Sequence, residues 1–331
     1  MVLLPLLHNI IVVLLTAVLI DFVFGEPPNR FHPVVFIGKI INILTNFIKS
    51  TSKDNGGKYE RFGGSVLAVG LPVFIGLITY FVTTQLYYTL GIVLFILVSS
   101  LILKISFSVR SMDKHIQEVL VMLEKNDITG ARNNLSKIVS RDTSSLDKSQ
   151  ILSACIECVA ESFVDGILAP LFYYGLLNLP GCMIYRTVNT LDSMIAYKDK
   201  YYIDIGWMSA KLDTILNIIP ARISPGFLVP ALMICKEDWR NAVRIMKRDS
   251  RKLESFNAGI PMSLMAGGLC VQLEKVDHYT LGNMDEELSL TKCKISLTVV
   301  KLATILFVFG FVIPIIVLLF FLNWWNLYFG L

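Results

Sequence analysis

Charge is scarce in this 331-residue chain: Asp, Glu, Lys and Arg make up 17% of it, against 54% hydrophobic residues. With a mean hydropathy of +0.62, that scarcity excludes an ordinary soluble domain of this length and implies a bilayer. Familiar nucleotide machinery is missing too. There is no GxxxxGK[ST] loop and no strand-embedded GxGxxG, so any ATP would bind at a site of another kind. HExxH and GxSxG are absent, which disfavours a zincin or a common serine hydrolase. No basic arm carries interleaved aromatics, so nucleic acid is not an expected partner. The six cysteines suggest no disulfide framework. Cys155 and Cys158 spell CxxC, but inside a helical pattern with no second CxxC or His pair to complete a zinc site, so they read as small helix-packing residues. No internal repeat or low-complexity segment stands out.

What is present is a set of apolar blocks separated by polar stretches. Residues 2–24 are broken only by His8, Asn9, Thr16 and Asp21, long enough at about 1.5 Å per residue to cross a hydrocarbon core of about 30 Å. The run has no positive n-region and no small-residue cleavage site, so it reads as a retained span. Residues 62–84 and 87–109 read as a membrane hairpin. Residues 302–322 make a fourth span, followed by the interfacial aromatics Trp324, Trp325 and Tyr328. Two more stretches, 167–184 and 214–234, either cross or are re-entrant, because polar groups interrupt them. The expected fold is all-α: one integrated polytopic membrane domain over 1–331.

The net charge of +4 is modest, and the positive residues gather in the polar segments, about 25–61, 110–150 and 235–301. A hairpin of two spans separates the first two segments, so both lie on one side. The positive-inside rule makes that side the cytoplasm, with the amino terminus outside. The expectation is a multi-pass protein of the cell membrane with a cytoplasmic active face and lipid headgroups among its contacts.

Several residues could carry chemistry. In ILSACIECVAESFVDGILAP, Glu157, Glu161 and Asp165 fall at i, i+4 and i+8, on one face of a helix. Such a ladder is expensive near a membrane unless it meets water, cations or a metal. Its hard oxygens suit Mg²⁺ bound together with substrate phosphates; the bland alternative is a solvated helix face. The next stretch places Arg186, Asn189, Asp192, Asp204, Asp213, Asn217 and Arg222 between apolar residues. A guanidinium there can hold phosphate or carboxylate in bidentate fashion, whereas the bland reading is ion pairing that serves packing alone. His32, after the turn made by Gly25 and Pro27–Pro28, could act as an acid or base at neutral pH, although a lone histidine is more often structural. Asn257, Gly259 and Pro261 read as a tight turn opening a small-residue helix.

Together these pieces resemble the CobD/CbiB family, membrane enzymes that attach the aminopropanol arm to cobyric acid late in cobalamin synthesis. The resemblance begins at DFVFGEPPNRFHPVVFIG (21–38), continues through Arg141-Asp142-Thr143 and ECVAESFVDGILAP (157–170), and is densest over YRTVNTLDSM…DIGWMSAKLDTILNIIPAR (185–222). It recurs at Arg248-Asp249 and NAGIP (257–261). Glu26 stands where the family usually shows Asp, and Phe256 where its turn has Pro.

The resemblance implies ATP-dependent amide ligation: the free carboxylate of adenosylcobyric acid is joined to aminopropanol or its phosphate, giving adenosylcobinamide or its phosphate. It further implies Glu157, Glu161 and Asp165 at Mg²⁺ or deprotonating the amine, with Asp192 and His32 as further catalytic candidates. Arg141, Asp142, Arg186, Asn189, Asp204, Asp213, Arg222 and Asn257 would bind the phosphates or the corrinoid, and other cobalamin-synthesis enzymes are candidate partners. Two other readings compete: a corrinoid-binding or transporting membrane protein, and an AmpE-like regulatory membrane protein.

Overall fold

The computed structural model describes residues 3–25, 33–52, 57–89 and 91–324. Four helices open the chain: α1 (Leu3–Phe24), α2 (Pro33–Thr51), α3 (Gly57–Thr89) and α4 (Ile92–Lys104). Then come α5 (Val109–Glu124), α6 (Ile128–Leu135) and α7 (Lys148–Ser162), which runs through a π turn at Phe163–Leu168 into α8 (Ala169–Ile195). After them follow α9 (Trp207–Leu216), α10 (Ile218–Ile223), α11 (Pro225–Ile234), α12 (Trp239–Asp249) and α13 (Phe256–Gly268). A two-stranded antiparallel hairpin, β1 (Leu273–Lys275) and β2 (Tyr279–Leu281), precedes α14 (Leu290–Phe307). A second π turn, Val308–Val312, leads into α15 (Ile313–Phe321). Among the described residues the protein is all-α apart from that hairpin.

Among the described residues, four helical runs are long and apolar enough to cross a membrane: Leu7–Phe24, Pro33–Thr51, Gly57–Thr89 and Leu290–Phe321. Up to six result if each of two bent pairs counts as one span. The expected count of four is met, but its membership differs. Residues 33–51, expected within a polar cytoplasmic segment, form a helix whose only charges are Lys39 and Lys49. The expected span 87–109 is broken instead: α4 has 13 residues, about 20 Å, and meets α5 at a 40° bend. The apolar run conceals this break because it is made by the backbone and by Ser106, whose hydroxyl donates to the Leu103 carbonyl at 2.6 Å and closes the last turn. Residues 207–223 and 225–234 bend by 42° where Pro225 opens α11. The stretch 167–184 lies mostly in α8, which is interrupted at Asn178 (φ 56°) two residues before Pro180. Pro180 has no N–H to give the Leu176 carbonyl four residues back, and at the break itself Asn178 Oδ1 accepts the Leu179 N–H at 2.7 Å.

Backbone contacts group the chain into two compact units. The first comprises Met1–Ser108, Ala169–Leu216 and Phe311–Leu331. Its helix pairs are α1 with α4, α3 with α8 and α9, and α2 with α8 and α3. Tyr174 is fully buried and donates its hydroxyl to the Ile10 carbonyl at 2.8 Å. Gly64 lets α3 approach the Ile205 carbonyl so closely that any Cβ would collide with it. Lys104 and Asp21 form a buried pair at 3.5 Å. Trp324 donates its indole N–H to the Leu176 carbonyl at 3.0 Å, while Trp325 and Tyr328 fall outside the described residues.

The second unit comprises Val109–Leu168 and Asn217–Gly310. Helix α7 is its centre: nine of its residues, from Ile151 to Ala160, are buried. Asp147 starts it with a capping box, accepting the Gln150 N–H while the Gln150 side chain accepts the Asp147 N–H. Helices α12 and α13 pack together, and α13, α14 and β1 pack on α7.

Candidate functional site

In the second unit, the buried face of α7 carries Glu157, only 2% exposed. A carboxylate so placed is costly without partners, and it has three. Arg141, from the segment before α7, forms an ion pair with Oε2. Tyr279 on β2 donates its hydroxyl to the same oxygen at 3.0 Å, and Ser153, one turn back on α7, donates to Oε1 at 2.7 Å. Ser153 Oγ in turn accepts the Glu274 N–H of β1 at 2.8 Å. The hairpin, α7 and the Arg141 segment therefore converge on one carboxylate. Burial, then the adjacent Glu157 charge, push the Tyr279 phenol above its ordinary value, so it remains a donor at neutral pH. Beside Arg141, exposed Asp142 accepts the backbone N–H and the hydroxyl of Ser144, and these bonds hold its carboxyl below the ordinary range.

The expected carboxylate ladder does not present one uniform face. Glu157 is turned inward, Glu161 is exposed, and Asp165 is half-buried inside the π turn, whose wider repeat ends the fourfold stacking of a regular helix. Among the described residues, no three His, Cys, Asp or Glu side chains gather as a metal-holding group. Cys155 and Cys158 are free thiols, the first buried and the second half-buried.

Elsewhere in the same unit, Arg222 and Asn257 come together. The exposed guanidinium donates to the Ile218 carbonyl at 2.7 Å and to Asn257 Oδ1 at 3.4 Å, and lies 5.2 Å from the Phe256 ring centroid. Phe256, the departure from the family's turn, thus serves as a platform for Arg222. Ser255 caps α13, and Gly259 lies so close to the Ser250 carbonyl that a Cβ would collide with it. Asp249, fully buried, ties the end of α12 to the turn after β2: it accepts the Gly282 N–H at 2.9 Å and pairs with Arg248 and Lys252, each at 2.7 Å. Burial opposes its ionisation, but the bonds from Arg248, Lys252 and Gly282 outweigh it and hold the carboxyl down to about 2.

In the first unit, Arg186 donates to Asn189 Oδ1 and Asn189 to Asp213 Oδ1, each at 3.3 Å, linking α8 to α9. Half-buried Asp192 follows one turn after Val188 on α8, and Asp204 sits against Gly57. Tyr173 closes the end of α9 by donating to the Leu216 carbonyl at 2.9 Å, and stacks on Tyr185 with centroids 5.3 Å apart. His32 lies outside the described residues. The sequence candidates thus fall into three local sets: Arg141 with Glu157, Arg222 with Asn257, and Arg186 with Asn189 and Asp213. Ser153 and Tyr279 belong to the first set but were not among the candidates, since nothing in the sequence marks a tyrosine 122 residues from its partner.

Four helical runs long and apolar enough to cross a bilayer, among the described residues, define a multi-pass helical membrane protein. Residues 14–323 match the CobD/Cbib protein family. The chain is 41% identical over 290 residues to the probable cobalamin biosynthesis protein CobD of Methanothermobacter thermautotrophicus, covering 86% of this chain and 92% of the relative. It is 41% identical over 276 residues to the cobalamin biosynthesis protein CobD of Dehalococcoides mccartyi, covering 83% and 87%. With the probable CobD of Thermoplasma volcanium the identity is 38% over 309 residues, covering 93% and 98%. No solved structure matches the chain. The protein belongs to the CobD/CbiB family.

Proposed function

We propose that this protein acts in cobalamin biosynthesis as an adenosylcobinamide(-phosphate) synthase. In this reading it works as one membrane unit in the cell membrane, with its active face in the cytoplasm. The observation that carries the reading is similarity along nearly the whole chain to proteins named for cobalamin biosynthesis. The reaction joins the free carboxylate of adenosylcobyric acid to the amine of aminopropanol or its phosphate. Transfer of the γ-phosphoryl of ATP to that carboxylate gives an acyl phosphate and ADP. The deprotonated amine attacks the acyl carbon, the C–O bond to phosphate breaks, and the amide and inorganic phosphate leave.

The chain's own residues suit the binding and proton-transfer tasks. Exposed Arg222, steadied by Asn257 and Phe256, is a guanidinium available to a phosphate or carboxylate. Arg141 keeps 15% side-chain exposure beside Glu157, so the carboxylate orients it while one edge faces outward. In this reading Mg²⁺ is held by the hard oxygens of Glu161 and Asp165, and not by Glu157, whose two oxygens accept Arg141, Ser153 and Tyr279. When bound there, Mg²⁺ would neutralise phosphate charge, which two carboxylates plus substrate oxygens commonly permit. Asp192 and Asp213 are further acidic candidates for the ammonium proton, the second of them accepting from Asn189 at 3.3 Å.

The test is to incubate purified protein with adenosylcobyric acid, Mg²⁺, ATP and aminopropanol phosphate and follow the corrinoid by mass spectrometry. An amide product formed only with ATP is expected. Corrinoid retained on the protein without product would favour a binding or transport role.

A further inference from the structure

Helices α2 and α3 enclose a groove of about 480 Å³ with an almost wholly apolar lining. Phe62, Val66, Gly70 and Phe74 recur every four residues along one face of α3, and Phe47 and Ile48 of α2 form the opposite wall. Phe47, Phe62, Val66 and Phe74 are each more than half exposed. Both helices are long and apolar enough to lie in a membrane, so their exposure is to hydrocarbon. Along α3 the stripe from 62 to 74 spans about 18 Å at 1.5 Å per residue, close to the depth of one leaflet, roughly 15 Å. The gap in the stripe is Gly70, around whose missing side chain nothing approaches within 4 Å.

The end of this groove is cationic. Lys58 stands one turn before Phe62 on the same face of α3 and is exposed. Arg61 is exposed beside it, with its guanidinium 3.9 Å from the Trp207 ring centroid, and Lys211 covers the same ring at 4.3 Å. Of the nearby acids, Glu60 is drawn to Lys49 and Asp204 sits against Gly57. The start of α3 adds the positive end of a helix dipole. An apolar slot one leaflet deep, with cations at its mouth, is complementary to a single kind of occupant.

We propose that the α2–α3 groove is a binding site for one anionic phospholipid, its tail lying along Val66, Gly70 and Phe74 and its headgroup held by Lys58 and Arg61. A neutral lipid would fill the slot without answering the charge of Lys58 and Arg61.

The test is native mass spectrometry of the full chain with phosphatidylglycerol and phosphatidylcholine titrated at equal concentration. Wild type is expected to retain phosphatidylglycerol preferentially. Gly70→Phe, which fills open space, is expected to lose bound lipid, whereas Gly70→Ala behaves as wild type. Lys58→Gln with Arg61→Gln is expected to keep lipid but lower the preference for phosphatidylglycerol by roughly tenfold or more, from two surface cations removed. The charge variants decide the matter even if Gly70→Phe proves unstable. Equal retention of both lipids by wild type, an unchanged preference in the charge variants, or undiminished lipid in a folded Gly70→Phe would each overturn the proposal. So would a Gly70→Phe protein that changes its oligomeric state and not its lipid content, which would assign the groove to a second copy.

Discussion

Glu157→Gln isolates the centre of the second unit. The substitution keeps the shape of the side chain and an oxygen for Ser153, but it replaces the carboxylate that Arg141 and Tyr279 share with a neutral amide. Removing one member of a buried ion pair costs roughly 3–5 kcal/mol, because the remaining charge loses its counterion while still desolvated. Arg141 retains 15% side-chain exposure, so some of that charge can be solvated, and the lower end, about 3 kcal/mol, is expected. Replacing both members with apolar residues of similar size, Arg141→Met with Glu157→Leu, removes the stranded charge. Such replacements are commonly near neutral, although the stranded Tyr279 and Ser153 donors would still cost about 1–3 kcal/mol each. The double variant should therefore be clearly less destabilised than the sum of its two single variants. Equilibrium unfolding in mixed micelles of wild type, Arg141→Met, Glu157→Leu and the double variant measures this, with Glu157→Gln measured alongside. A cost below about 1 kcal/mol for Glu157→Gln, or additive effects across the cycle, would refute the idea that this carboxylate organises the unit.

Tyr279→Phe removes one hydrogen bond to a charged acceptor without opening a cavity, and should cost about 1.5–3 kcal/mol, read by the same unfolding measurement. Asp249, held to about 2 from an ordinary 3.8, should contribute about 2 kcal/mol after allowance for the exposed ends of Arg248 and Lys252. Because its pKa is depressed on folding, that contribution is complete above the unfolded value and is lost as pH falls through about 2. Asp249→Asn should flatten the pH dependence of stability in that window. Gly64→Ala should destabilise the first unit by more than 1 kcal/mol, since its Cβ meets the Ile205 carbonyl, and thermal unfolding in detergent would register it. Glu161→Gln and Asp192→Asn should each lower product formation at least tenfold with expression unchanged, and wild-type turnover in both would remove these residues from the mechanism.

Side-chain type and local spacing made much of the molecule legible in the sequence. The spans near 2–24, 62–84 and 302–322 are read from hydropathy because, in a bilayer, length and apolarity are the physical requirement. Of the residues singled out in the sequence, Arg186 meets Asn189 one turn on, whereas the contact of Arg222 with Asn257, 35 residues away, appears only in the fold. Residues 33–51 read as part of a polar segment because Arg30, Lys39, Lys49, Lys53, Lys58 and Arg61 are spread over 26–61, while the helix interior between them is apolar. The span 87–109 was drawn too long because an apolar composition continues through a bend that only backbone geometry reveals. The carboxylate ladder assumed 3.6 residues per turn, and a π turn that begins two residues after Glu161 breaks that period.

By itself, then, the sequence determined that this chain is an all-α, multi-pass membrane protein of the CobD/CbiB family, because bilayer solvation and motif identity act on residues in sequence order. Which carboxylate is buried and which is open was decided only by the tertiary structure. Glu157 became the enclosed partner of Arg141, Ser153 and Tyr279, while Glu161, four residues on, stayed exposed. That difference comes from a hairpin brought back across more than a hundred residues, and a contact at such separation leaves no local trace in the chain.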